Sequence, residues 1–147
     1  MKSHFLPLFE YDYWANQQVW RSISQKPLNN PKIENLFSHV LSAQKIWLNR
    51  CTKIIETIPL WDTQSDLANL MESNHEAWLA FLNQTEDHDF EQIIPYQTST
   101  GVAYQSKIKD ILTHLINHGT YHRGQMVLLL KPERETLPLT DFIFWVR

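Results

Sequence analysis

The stretch IKDILTHLINHGTYHRGQMVLLL, residues Ile108–Leu130, decides the fold of this chain. Ser106 precedes it as a predicted N-cap, and Asp110 lies in its first turns, where a carboxylate faces the positive end of the helix dipole. Pro132 lies just beyond its end, where a helix cannot continue. The apolar residues cover much of the helical circumference, which is typical of a helix packed inside a bundle. They are Ile111, Leu112, Leu115, Ile116, Met126, Leu129 and Leu130.

Three histidines, His114, His118 and His122, recur at every fourth position of this stretch. On a helix this spacing places them on one face, about 6 Å apart along the axis for each step. Two neighbours in the row can hold one metal ion, whereas the outer two would lie about 12 Å apart. A metal site here would therefore take two ligands from one adjacent pair, and a third ligand from elsewhere in the chain.

Apolar residues at helical spacing predict three more helices before this one, over residues 5–25, 31–54 and about 63–84. Thr63 or Ser65 is the predicted N-cap of the third helix. The segment 86–105 does not follow the helical period. Its two β-prone runs flank a polar turn, so that it is either a small hairpin or a long crossover.

The tail 140–146 predicts a short helical turn packed on the bundle. Together these elements predict an all-α fold, a four-helix bundle with an irregular or short hairpin excursion before the last helix. No domain linker interrupts the pattern, and we expect one domain over residues 1–147.

Composition narrows the class of protein. With 43% hydrophobic and 20% charged residues, the chain should fold into a packed core. Its net charge of −3, without a cluster of lysines and arginines, predicts no nucleic-acid partner. An apolar run of the length that spans a bilayer is missing from the sequence, and Cys51 is its one cysteine. We therefore expect a soluble cytoplasmic protein without a membrane partner.

Two histidines outside the row are candidates for the third ligand. His39 lies on the apolar face of the second predicted helix, where a histidine is more often a hydrogen-bonded core residue than a ligand. His75 lies at the edge of the third helix's apolar face, and a boundary role is favoured for it. The set His39, His118 and His122 would give three imidazoles and leave coordination positions open, as in catalytic zinc sites. A hydrogen-bonded core network of the same histidines is the alternative.

Other chemistries lack their motifs in this sequence. Neither a glycine-rich phosphate loop nor a nucleophile elbow occurs. The HxxxH turn lacks the glutamate of HExxH metalloproteases. Cys51 has no neighbour that would activate it as a nucleophile, and a buried or incidental thiol is the favoured interpretation.

The motifs resemble those of the DinB/YfiT-like metal-binding proteins. Residues 117–125, NHGTYHRGQ, resemble the family signature NHxxxHRGQ, and residues 38–50, SHVLSAQKIWLNR, resemble its second-helix motif HxxxAxxxWLxR. Residues 13–16 are similar to its first-helix WAN element, and residues 139–143 to its closing segment with an aspartate. The resemblance follows the family's order over essentially the whole chain.

This resemblance implies an up-down-down-up four-helix bundle. It also implies a divalent metal, often nickel or zinc, held by histidines that correspond to His39, His118 and His122. His114 has no ligand role in that pattern and is expected beside the site or in the core. Asp12 stands where relatives often carry asparagine. This difference leaves the three metal ligands unchanged and bears on the pocket near the first helix.

Two residues follow the last candidate ligand. Arg123 is expected to form a structural ion pair rather than to hold a substrate carboxylate. Gly124 is expected to allow a close approach between helices.

Characterised relatives include transferases and isomerases that use low-molecular-weight thiols such as bacillithiol or mycothiol. The resemblance therefore implies a metalloenzyme, a thiol S-transferase or a hydrolase-like enzyme, acting on a small-molecule thiol and an electrophile. Trp14 or Trp47 would shape the pocket for an apolar electrophile. The alternative is a non-catalytic metal-binding or stress-associated protein. Relatives are often dimers, and the aromatic tail is a candidate homodimer interface.

Overall fold

A computed structural model describes residues 1–61, 66–98 and 100–147 of the chain. It is mostly helical, with α1 at Lys2–Ser24, α2 at Lys32–Thr52, α3 at Leu67–Gln84, α4 at Ile108–Leu130 and a short α5 at Phe142–Trp145. A 3₁₀ turn at Asp89–Glu91 and two strands, β1 at Ile93–Gln97 and β2 at Ala103–Lys107, lie between α3 and α4. The helices α1 and α2 each pack against both α3 and α4. The four predicted helices are confirmed, and α4 has the predicted bounds.

The excursion before α4 is a hairpin, which resolves the alternative left by the sequence. The strands β1 and β2 pair antiparallel, from Ile93 opposite Lys107 to Gln97 opposite Ala103. Gly101 has a φ of +81° in the connecting turn, a conformation that favours glycine. The hairpin leads directly into α4, since β2 ends at Lys107 and α4 begins at Ile108. The Ile108 N–H donates to the Gln92 carbonyl at 3.0 Å, which joins the start of α4 to the residue before β1.

The buried core is divided into two apolar clusters. One contains side chains from all four long helices and from the segment around the hairpin, among them Phe5, Phe9, Leu48, Trp78, Leu82, Phe90, Leu112 and Leu115. The other lies at the opposite end and contains Val19, Ile23, Ile33, Phe37, Leu41, Met71, Met126 and Leu130, among others. Polar side chains, Asp12, Asn16, Gln44 and Arg123, are buried on the helix segments between the clusters. This polar layer lies at the level of His118 and His122 on α4.

The predicted N-cap of α4, Ser106, was wrong. Ser106 is not the cap of α4: Lys107 occupies the N-cap position without a side-chain bond, and the Ser106 hydroxyl lies 3.4 Å from that of Tyr96. Ser106 belongs to β2, so its side chain is directed by the strand rather than by the helix.

The predicted caps of α3, Thr63 and Ser65, lie outside the described residues. Asp66 caps this helix, and its side chain accepts a hydrogen bond from the Asn69 N–H at 3.0 Å. An aspartate in this position satisfies one of the backbone donors that the first turn leaves unpaired.

The tail folds as the predicted helical turn. Tyr11 of α1 holds the tail against the bundle. Its hydroxyl donates to the Thr140 carbonyl at 2.7 Å, and its ring contacts the Phe142 ring edge-on at 5.0 Å between centroids. Across the described ranges, no helix is both long and apolar enough to cross a membrane.

Candidate metal centre

The helices α2 and α4 bring three of the predicted residues together. His39 extends from α2, and His118 and His122 extend from successive turns of α4. One ring nitrogen of each histidine lies within 4.8 Å of the other two, and the Nε2 atoms of His39 and His118 are 3.1 Å apart. The predicted set thus converges on one point between two helices.

The nitrogen spacing fits a divalent ion. Bonds of about 2.0–2.1 Å in tetrahedral geometry place two nitrogen ligands about 3.4 Å apart. The observed separations, 3.1 Å for one pair and at most 4.8 Å for the set, are close to this value. His39 and His122 are 5% and 8% exposed, while His118 is half-buried, so the cluster is largely shielded from solvent and is partly accessible at His118.

In His39 and His122, the Nδ1 atom is hydrogen-bonded to a carbonyl oxygen. His39 Nδ1 lies 3.1 Å from the Leu60 carbonyl, and His122 Nδ1 lies 2.9 Å from the Gln125 side-chain carbonyl. A carbonyl oxygen only accepts, so each Nδ1 carries the hydrogen and each neutral ring keeps its lone pair on Nε2. Such outer partners fix the tautomer and orientation of metal-ligating histidines in proteins.

Burial favours the neutral form of His39 and His118. Burial, followed by the charges of His122, His39 and His114, lowers the pKa of His118 to about 3. Burial also lowers the pKa of His39, against the opposing effect of its bond to Leu60. Neutral imidazole is the form that binds a metal ion, because a proton on the lone pair excludes it.

This pKa shift makes the stability of the metal-free protein dependent on pH. The pKa of His118 is about 3 in the folded state, against an ordinary value of 6.5 for histidine, so the unfolded chain binds more protons between these limits. The free energy of unfolding should therefore fall as the pH is lowered from about 6.5 towards 3. Thermal unfolding of chelator-treated protein measures this slope. His118→Gln should flatten it, and an unchanged slope in this variant would contradict the assignment.

Exposed aromatic rings lie against two of the three histidines, His39 and His122. The Trp61 ring stacks on His39, with centroids 3.7 Å apart and planes 7° apart, and 59% of Trp61 is exposed. Tyr121, also exposed, meets His122 edge-on at 5.1 Å. No sequence pattern indicates the role of Trp61, because Trp61 and Leu60 lie in the loop after α2, where residues follow no helical or strand period.

Trp14 and Trp47, the two tryptophans predicted to shape the pocket, lie in different parts of the structure. Trp47 meets His114 edge-on at 5.9 Å, and His114 lies 5.3 Å from His118, so Trp47 extends the histidine face along α4. Trp14 instead lines a groove beside α5 together with Phe144. Of the two, Trp47 is therefore the one that continues the candidate site.

His114 and His75 lie outside the set of candidate ligands, as expected. The nitrogen set that converges among the described residues does not include His114. His75 stacks on Tyr13 at 3.9 Å, and its Nε2 lies 3.4 Å from a Glu10 carboxylate oxygen. A boundary role for His75 is confirmed.

Arg123, next to His122, forms a buried ion pair with Asp12 across α1 and α4. Its Nη1 donates to Asp12 Oδ1 at 2.6 Å and to Asn16 Oδ1 at 2.8 Å, and Arg123 is 1% exposed. Asp12 Oδ2 accepts from Gln44 Nε2 of α2 at 2.6 Å. The predicted structural ion pair is confirmed, and its network joins both helices that carry the histidines to α1.

Gly119, rather than Gly124, is the glycine of close helix approach. A Cβ on Gly119 would lie 2.5 Å from Asp12 Oδ1 and 2.9 Å from Arg123 Nη1. A Cβ on Gly124 would meet nothing within 4 Å, and that position is exposed. The prediction for Gly124 was wrong, because the HRGQ motif does not indicate which face of the helix meets α1.

The two glycines give a matched pair of variants. Gly119→Ala should destabilise the protein by about 1–3 kcal/mol, because the new methyl group displaces the buried ion pair. Gly124→Ala should be neutral or stabilising by up to about 1 kcal/mol, because alanine is the better residue in an open helix interior. Urea unfolding of both variants checks this. Equal effects of the two substitutions would contradict the packing at Gly119.

Comparison with known proteins agrees with the geometry. The model of the DinB family matches residues 1–144 of the chain. The curated Protein DinB of Bacillus subtilis (strain 168) is 23% identical over 162 aligned positions, which cover 97% of this chain and 93% of that protein. A match over nearly the whole length, together with the motifs on α2 and α4, shows that this chain belongs to the DinB family.

Proposed function

We propose that this protein binds one divalent metal ion through His39, His118 and His122. The observation that carries the proposal is the convergence of three ring nitrogens within 4.8 Å, two of them on rings whose Nδ1 is engaged elsewhere. Nickel and zinc are the proposed ions, since both accept imidazole ligands.

We further propose that the site serves a thiol-dependent S-transferase. A divalent ion with three neutral ligands supplies a Lewis acid that lowers the pKa of a bound thiol or water. In the overall reaction the thiol sulfur forms a bond to an electrophilic carbon, the thiol proton goes to solvent, and the leaving group takes the electrons of the bond that breaks.

The thiol has to come from outside the chain. Cys51 is buried, and burial raises the pKa of its thiol to about 12, so that it is protonated at neutral pH. It also lies twelve residues beyond His39 on α2, about 18 Å along the axis. A low-molecular-weight thiol, such as bacillithiol or mycothiol in characterised relatives, is the proposed co-substrate.

The surrounding rings suit an apolar electrophile. Trp61 and Tyr121, which are 59% and 65% exposed, lie against His39 and His122. Flat aromatic surface favours apolar or aromatic groups by burial and stacking.

The direction of the helices supports the up-down-down-up order that the resemblance implies. Lys2, at the start of α1, donates to the Asn83 carbonyl near the end of α3 at 2.7 Å, while Tyr13 farther along α1 donates to Glu72 at 2.6 Å. Progress along α1 therefore runs backwards along α3, so these helices are antiparallel.

Two further helix pairs support the rest of this order. His39 lies against His122 at 4.8 Å between ring centroids, and Trp47 lies against His114, so α2 and α4 are antiparallel. In the core, Phe9 clusters with Leu112, and Val19 with Met126, so α1 and α4 are parallel. We propose an up-down-down-up bundle that forms one domain over residues 1–147.

Two broader proposals follow from the surface. We propose a homodimer through the tail, because Phe142, Ile143 and Phe144 are 43%, 50% and 38% exposed beside Leu139 at 61%. We also propose a cytoplasmic location, since a small-molecule thiol is kept reduced there. Light scattering of the purified protein tests the dimer.

The catalytic proposal is tested with a chromogenic electrophile and several cellular thiols. Metal-loaded protein should consume the electrophile, whereas chelated protein and metal-treated His122→Ala should give only the uncatalysed rate. Equal rates in all three samples would support a non-catalytic metal-binding or stress-associated role instead.

A further inference from the structure

Arg50, in the last turn of α2, is held in an aromatic stack. Its guanidinium carbon lies 4.4 Å from the centre of the Trp47 ring and 4.9 Å from that of Tyr96 on β1. One terminal nitrogen, Nη2, donates to the Gln97 carbonyl at 3.0 Å. The stack fixes the plane of the guanidinium group. Within the described ranges the bond to Gln97 is its one hydrogen bond, which leaves its other N–H donors available.

This cation has no acidic partner among the residues that the structure describes. The nearby Glu56 instead accepts a hydrogen bond from Asn49 at 2.9 Å. Elsewhere on the surface, Lys107 and Lys109 both pair with Glu91. Burial lowers the pKa of Arg50, which means that its charged form is partly desolvated without a compensating carboxylate.

Arg50 is connected to the candidate metal centre by a continuous row of rings. His114 lies 5.3 Å from His118, Trp47 lies 5.9 Å from His114, and Arg50 stacks on Trp47. Along the axis, Arg50 lies eleven residues, about 16 Å, beyond His39. Its contact with Trp47, three residues earlier, shows that the side chain turns back towards the metal centre, so the separation is shorter than this.

We propose that Arg50 binds the carboxylate of the small-molecule thiol, so that the substrate class is an elongated, anionic thiol of about tripeptide length. A guanidinium group matches a carboxylate with two parallel hydrogen bonds, and a half-buried one loses less of this energy to water. Three extended residues span about 10–11 Å from end to end. A ligand of this size is long enough to lie along the row of rings between the histidines and Arg50, whereas a single amino acid is not. The identity of the ligand as a thiol rests on the proposed function, whereas carboxylate binding at Arg50 does not.

Calorimetric titration with three probes tests the proposal. The probes are glutathione, its dimethyl ester, which has lost both carboxylate charges, and S-methylglutathione, which keeps the carboxylates without a free thiol. In Arg50→Gln, affinity for glutathione and S-methylglutathione should fall about tenfold or more, since a charge-assisted hydrogen bond contributes at least 1.4 kcal/mol. Arg50→Lys keeps the charge without the planar fork and should lose part of this affinity. Affinity for the ester should not change in either variant.

Arg21→Gln is the matched control, because Arg21 is an exposed arginine near the end of another helix. It should bind all three probes as the wild type does. Equal affinity of wild type and Arg50→Gln for S-methylglutathione, or no binding of this probe to the wild type, would overturn the proposal. Circular dichroism verifies that the variants fold, and Arg50→Lys decides the result if Arg50→Gln does not fold.

The proposed function fails separately from this inference. Binding of S-methylglutathione that depends on Arg50, without any thiol transfer, would overturn the transferase and leave the carboxylate site in place. Thiol transfer that is equal in wild type and Arg50→Gln, with unchanged KM for glutathione, would retain the transferase and overturn the role of Arg50.

Discussion

Asp12→Ala should lower the free energy of unfolding by about 3–5 kcal/mol, because it leaves the buried Arg123 guanidinium without its counter-charge. Arg123 and Asp12 are 1% and 2% exposed, and Arg123 Nη1 donates to Asp12 at 2.6 Å. The same substitution also removes the acceptor of the Gln44 side chain. Urea unfolding followed by circular dichroism measures the loss.

Two further variants separate charge from packing. Asp12→Asn keeps the size of the side chain but removes its charge, so it should destabilise the protein less than Asp12→Ala. The double variant Asp12→Ala with Arg123→Met removes both charges and should recover part of the loss, since apolar replacements of a buried pair are often tolerated. Glu91→Ala, which breaks exposed pairs with Lys107 and Lys109, should have little effect. A loss in Asp12→Ala no larger than that in Glu91→Ala would contradict the account of the polar layer.

Saturating nickel or zinc should raise the melting temperature of the metal-free protein by roughly 5–10 °C. A ligand at one hundred times its dissociation constant stabilises the folded state by about 2.7 kcal/mol, and each kcal/mol corresponds to about 2–4 °C at this chain length. The shift should disappear in single alanine variants of His39, His118 and His122, because two imidazoles hold the ion less tightly than three. Differential scanning calorimetry with and without the ion measures it.

His114→Ala and His75→Ala are the controls for this experiment. His114 belongs to the same row on α4, and His75 pairs with Glu10 and Tyr13 on another face. Both variants should keep the full shift. A shift that survives in His122→Ala, or that is lost in His75→Ala, would contradict the assignment of the ligands.

The features of α4 that the sequence predicted are those with a local period. The apolar spacing defines Ile108–Leu130 as a helix, and the spacing of His118 and His122 places two rings on one face. The apolar face of α2 places His39 towards the core, and the family resemblance identifies it as a ligand. His39 and His118 are 79 residues apart in the chain, so their convergence depends on the packing of α2 against α4.

The features that the sequence did not reveal depend on tertiary contacts. The Arg123–Asp12 pair spans 111 residues, so no spacing indicates it. Gly119 and Gly124 are five residues apart in one helix, and only the approach of α1 decides which of them a side chain would obstruct. Trp61 reaches His39 from an irregular loop, where neither period nor propensity predicts a contact.

Elemental analysis of protein purified without a nickel column tests the central claim most directly. The account predicts one divalent ion per chain in the wild type and in His114→Ala, and loss of the ion in His39→Ala, His118→Ala and His122→Ala. Full occupancy in any of these last three variants, or a wild-type protein that binds no ion when dialysed against nickel or zinc, would contradict it.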